Sequence, residues 1–119
     1  MQYLLLIYID PALYANMDPA ESKETMDAYW KLDDDARAAG VLLSSNALYG
    51  HEQTSTLKVR GGDRIVSDGP FAETKEVLGG YYLVDVPGLE EARYWAAQIP
   101  DAKRGTIEIR PIVNFERPV

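Results

Sequence analysis

Residues 2–9 read QYLLLIYI, and the fold turns on that octet. Apolar side chains run through it almost without a break instead of alternating with polar ones, the pattern of a central strand covered on both faces. Successive strand residues face opposite sides, so Tyr3, Leu5, Ile7 and Ile9 point one way and Leu4, Leu6 and Tyr8 the other. Helices packed on one side leave the second side bare, and a large exposed apolar patch is rare on a soluble monomer. Another copy of the same sheet, related by a two-fold axis, is the simplest cover. The octet therefore predicts a homodimer packed sheet against sheet.

Working outward, Asp10-Pro11 ends the strand, and Asp18-Pro19-Ala20-Glu21 predicts a helix start: an N-cap, a proline at the first helical position and the acid of a capping box. Met26, Tyr29, Leu32, Ala36 and Ala39 follow on one apolar face, and Gly40 ends the helix. Residues 41–48 read as a second strand, with a polar loop over 49–53. Thr54–Arg60 alternates, Gly61-Gly62 suits a tight turn, and Arg64–Ser67 returns as the hairpin partner. A strand over Tyr81–Val86 leads to a second helix with Leu89, Ala92, Trp95, Ala96 and Ile99 on one face, stopped by Pro100. Thr106–Ile112 alternates as the last strand. With the hairpin set aside the order is β-α-β twice. That predicts an α+β, ferredoxin-like βαββαβ core with an antiparallel sheet and both helices on one face.

The chain has 119 residues, enough for one domain spanning 1–119. A net charge of −7, with twelve scattered basic residues, argues against nucleic acid and anionic membrane partners, which need cationic surface. The longest apolar run near the start is too short to cross a bilayer and lacks the flanks of a signal peptide. The absence of cysteine excludes disulfides and thiolate metal sites and fits a cytoplasmic location. One His without Cys, and no calcium-loop spacing, gives no metal set; the glycine pairs match no nucleotide motif, so no cofactor is expected.

The segment SDGPFAETKEVLGG, residues 67–80, carries the chemistry worth weighing. An Asp in a turn normally accepts from the N–H two residues on, but at Asp68 that residue is Pro70, which has none. The carboxylate must turn to the Phe71 N–H, to Lys75, to water or to a ligand. It reads either as a lock for the loop or as a general acid/base or ligand anchor at a pocket mouth. Phe71 reads as a core plug or as the wall of an apolar pocket. Residues 73–76 read as a polar turn that could be helical, with Gly79 at its end. His51, the one histidine, is a weak candidate base in its loop. Tyr29 reads as a core residue whose hydroxyl needs a partner. Arg110 alternates with Ile109 and could hold a ligand acid or pair with Glu108.

The stretches MQYLLLIY, RAAGVLLSS, SDGPFAETKEVLGGYYLVDVPGLEEA, WAAQIP and IEIRPI resemble the DGPF branch of the YCII-related proteins. The resemblance implies a dimeric ferredoxin-like α/β-barrel. The wider superfamily is proposed to use a His–Asp pair on its first helix; Tyr29 and Ala38 stand at those places here, so the pair is not carried over. Association of some relatives with extracytoplasmic-function sigma factors implies a regulatory or stress context. Two functions follow. The first is a homodimeric small-ligand-binding or accessory module with a pocket near Asp68–Phe71, lined by Tyr29, Phe71, Lys75 and Arg110. The second is a cofactor-independent lyase, isomerase or hydrolase with Asp68 as acid/base. The missing His–Asp pair tilts the reading toward the first.

Overall fold

A computed structural model describes residues 1–48 and 50–115; Tyr49, the first residue of the loop expected over 49–53, lies outside them. Among the described residues six strands and three helices run in the order β1 (Gln2–Ile9), α1 (Pro11–Ala15), α2 (Pro19–Ala38), β2 (Leu42–Ala47), β3 (Ser55–Arg60), β4 (Asp63–Asp68), β5 (Val77–Asp85), α3 (Leu89–Gln98) and β6 (Thr106–Pro111). Short 3₁₀ turns span His51–Gln53 and Pro100–Lys103. Four strands form an antiparallel sheet ordered β2-β5-β1-β6. With the β3–β4 hairpin set aside, this is the ferredoxin-like strand order, and the α+β expectation holds.

Local chemistry explains the elements. Asp18 caps α2 by accepting the Glu21 N–H at 2.8 Å, with Pro19 pre-organised behind it. Leu32 and Ala36 of that helix are buried; Met26, expected on the same face, is 52% exposed. Its end of α2 overhangs a cavity and not the packed core. The buried core joins Tyr3, Leu5 and Ile7 of β1 to Tyr82 and Val84 of β5, and to Leu32 of α2 and Ala92 and Ala96 of α3, so both helices cover one face of the sheet.

The opposite face of β1 is half-buried: Leu4, Leu6 and Tyr8 pack beside their sheet neighbours with no helix above them. Leu4 stands opposite Arg110 and Leu83, and Leu6 opposite Glu108 and Tyr81, so these side chains share the uncovered face.

Two sequence expectations change. β5 starts at Val77, so the glycine pair 79–80 does not end a helical turn. The ladder instead bulges there, with Ile7 opposite Gly80 and Tyr8 opposite Leu78, leaving Gly79 as the extra residue. Asp10-Pro11 also does more than end a strand: Asp10 caps α1 through the Ala12 N–H at 3.0 Å.

The β3–β4 hairpin closes through Gly61 (φ 57°) and Gly62 (φ 82°) and forms a separate two-stranded ribbon. The chain is flat, 50 × 48 × 18 Å. Its Cα radius of gyration is 16.7 Å, against about 13.5 Å for a compact chain of this length. The difference reflects the projecting ribbon, on which Leu57, Val59, Ile65 and Val66 are exposed.

Candidate functional site

A cavity of about 880 Å³ opens between the N-terminal half of α2, α1 and the β2–β5 edge of the sheet. At its floor lies Asp101, a charged side chain only 2% exposed. Pro100 stops α3, and the following 3₁₀ turn carries Asp101 under the sheet edge. The turn can approach because of Gly105: a Cβ there would lie 2.1 Å from the Tyr8 carbonyl oxygen. The Gly105 N–H in turn bonds the Asp101 carbonyl at 2.8 Å.

The Asp101 carboxylate is engaged on both oxygens. Oδ2 accepts the hydroxyls of Tyr14, from α1, and of Tyr29, from α2, the latter at 2.5 Å. Oδ1 accepts Arg104 Nε at 3.1 Å. The same guanidinium donates to Thr25 Oγ1 at 2.9 Å, tying the floor to α2. Beside this group Tyr82 stacks on Tyr29, with ring centroids 6.5 Å apart and planes 8° apart, and donates its hydroxyl to Asp33 at 2.7 Å. Burial first, then hydrogen bonding to Asp101, pushes the Tyr14 and Tyr29 hydroxyls well above the usual tyrosine range. Burial and the Asp33 bond do the same to Tyr82. All three phenols are therefore held protonated as donors. Chemically the floor is a set of fixed dipoles around one neutralised carboxylate. It suits orientation of a bound molecule better than proton abstraction by Asp101, whose oxygens are already engaged by three donors.

Of the residues singled out from sequence, the structure brings Tyr29 and His51 to this cavity. The Tyr29 hydroxyl finds its partner in Asp101. His51 lies at the mouth with Nδ1 3.6 Å from a Glu52 carboxylate oxygen. The other four lie elsewhere. Asp68 ends β4, is exposed, and forms an ion pair neither with Lys75 nor with any other described cation. The turn after it is fixed by main chain: Gly69, at φ 90°, donates to the Thr54 carbonyl at 2.6 Å, and its own carbonyl accepts Thr56 Oγ1 at 2.6 Å. Glycine is needed there because other residues rarely adopt that φ. Phe71 is 86% exposed and so is not a core plug within this chain. Lys75 is exposed, and Arg110 lies exposed on β6 beside Leu4. The 67–80 segment reaches the cavity through Val77–Gly80 and not through Asp68–Phe71.

Sequence reasoning missed Asp101, Tyr14 and Asp33. The only local hint was an acid directly after the helix-stopping Pro100, a position where a solvated side chain is the ordinary expectation. Among the described residues no group of three or more His, Asp or Glu is placed to hold a metal ion. None of the described helices is long and apolar enough to cross a membrane.

An uncharacterized protein of Rhizobium meliloti (strain 1021) is 33% identical over 118 residues, covering 98% of this chain and 95% of the relative. A family model for the YCII-related domain matches residues 1–116. With a ferredoxin-like sheet, a whole-length match to the family and a similar relative, the chain belongs to the YCII-related domain family.

Proposed function

We propose that the protein, a member of the DGPF branch of its family, is a homodimeric cytoplasmic module of one domain that binds a small organic molecule in the cavity above Asp101. The observation that carries this reading is the cavity itself: about 880 Å³, walled by aromatic rings, with a carboxylate held by three donors and three committed hydroxyl donors. Natural small-molecule sites combine this size and apolar lining with a few fixed polar groups. Asp101 itself is engaged by three donors, which suits it to anchoring the floor and not to abstracting a proton. Asp68, on which the enzyme reading centred, does not line this cavity.

Dimerisation is supported by two surfaces. Leu4, Leu6 and Tyr8 face away from both helices, and the ribbon carries exposed Leu57, Val59, Ile65 and Val66. A detached two-stranded ribbon is marginally stable alone and gains from a surface to lie on. Packing sheet against sheet covers the first surface and brings the ribbon of one protomer toward its twin. An accessory role beside extracytoplasmic-function sigma factors, implied by the family resemblance, fits a binding module.

Light scattering coupled to size-exclusion chromatography should give a dimer at micromolar concentration, and Leu6→Glu should give a monomer. A thermal-shift screen of metabolites should raise the melting temperature with at least one compound, since a ligand selective for the folded form stabilises it. A monomeric parent protein, or a broad screen with no stabilising compound, overturns the corresponding half of the proposal.

A further inference from the structure

We infer that the cavity takes an organic cation, a protonated amine or quaternary ammonium carried on an apolar or aromatic body; this rests on the cavity being a ligand site. Tyr14, Tyr29, Trp30 and Tyr82 contribute aromatic rings to its lining. Ring faces carry negative potential and attract cations within about 6 Å. The charged side chains of the lining are Asp33, Glu52 and Asp101, and among the described residues no Lys or Arg joins them. His51 is the basic side chain present, and it lies beside Glu52.

The three carboxylates are not equivalent. Asp101 is neutralised by Arg104, which stands behind it and forms no part of the lining. Asp33 is half-buried, accepts the Tyr82 hydroxyl, and forms no ion pair among the described residues. Arg37, one turn further along α2, contributes positive potential at Tyr82 but makes no ion pair with Asp33. A carboxylate has about four lone-pair sites, so Asp33 keeps acceptor capacity after its bond to Tyr82.

The hydroxyls point to the same ligand. Tyr14 and Tyr29 donate to Asp101 and Tyr82 donates to Asp33, so each has spent its one proton and offers only lone pairs to a guest. Against these three hydroxyls and the Asp33 and Asp101 carboxylates, a ligand acid would meet acceptors and negative charge. An ammonium group would meet acceptors, an uncompensated carboxylate and ring faces together. The chain's net charge of −7 also raises the local concentration of cations.

Three probes of matched shape test this on the full chain: phenethylammonium, 2-phenylethanol and 3-phenylpropanoate, titrated by amide NMR shifts of the cavity residues. The ammonium should bind about tenfold or more tightly than the alcohol, and the carboxylate should bind least. Asp33→Asn should abolish most of the ammonium preference. Asp27→Asn, which removes an equal charge from an exposed i,i+4 pair with Lys23, should leave it intact. If Asp33→Asn fails to fold, the ranking of the three probes on the parent protein decides alone. Equal or tighter binding of 3-phenylpropanoate overturns the inference and leaves the binding-module reading standing. So does an absence of shifts with all three probes up to about 10 mM when the metabolite screen finds another ligand. Silence in both experiments overturns the two together.

Discussion

Replacing Asp101 by asparagine removes the charge from a side chain that is 2% exposed and accepts from three donors. An amide has one acceptor oxygen and one donor nitrogen. With its oxygen toward Tyr14 and Tyr29, its NH₂ faces Arg104 Nε, donor against donor. Turned around, it forces both hydroxyls to find new acceptors in a buried floor. In either orientation Arg104 loses its counter-charge. Removing one member of a buried pair costs roughly 3–5 kcal/mol. The Arg104 side chain is 30% exposed, so water recovers part of its solvation. A loss of about 3 kcal/mol is therefore expected, equivalent to a melting temperature about 10 °C lower at this chain length. Urea unfolding at one fixed protein concentration, monitored by circular dichroism, measures it. A second reading comes from tyrosinate absorbance: without the Asp101 charge, Tyr14 and Tyr29 should ionise at lower pH, though burial keeps them above the ordinary tyrosine range. A stability loss below about 1 kcal/mol, with no change in the tyrosine titration, would refute the anchoring role assigned to Asp101.

Stability should fall once tyrosines of the unfolded chain ionise. The folded-state values of Tyr29 and Tyr82 are raised, so above pH about 10 the unfolded state releases protons that the folded state retains. Each contributes about 1.4 kcal/mol of lost stability per pH unit there; denaturant midpoints measured from pH 7 to 11 should show that decline, and a flat profile would count against the buried phenols. Gly105→Ala places a methyl against the main-chain carbonyl of Tyr8, a group that cannot swing aside, whereas Gly88→Ala meets only the end of Glu91 at 3.6 Å. Calorimetry should show the first losing roughly 2–3 kcal/mol and the second distinctly less.

Much of the fold was legible because its signals are local. The unbroken apolar octet marked β1, the Asp18-Pro19 start and Gly40 bracketed α2, and Gly61-Gly62 marked the hairpin turn. Tyr29 and His51 could be named as candidates, but their setting could not. Asp101 meets Tyr14 across 87 residues and Tyr29 across 72, and no periodicity carries information over such separations. Two local signals also had double meanings. Asp-Pro was read as a helix start at Asp18 yet only as a strand end at Asp10, where the helix is five residues long. Gly79-Gly80 suggested a break, while the chain uses the pair to bend a continuous strand. At Asp68 the lack of an N–H on Pro70 drew attention to the carboxylate, but the turn is held by main-chain and threonine bonds that its side chain does not join.

The ribbon of β3 and β4 has a consequence for colloidal behaviour. Two strands without flanking neighbours leave two open edges, and an open edge is a template on which foreign strands can grow into filaments. Lys58, Arg60, Asp63 and Arg64 interrupt its apolar positions, with Arg60 paired opposite Asp63 and Val59 opposite Arg64. Such interspersed charge acts as a gatekeeper, letting the ribbon be sticky enough to grip one surface while repelling endless accretion.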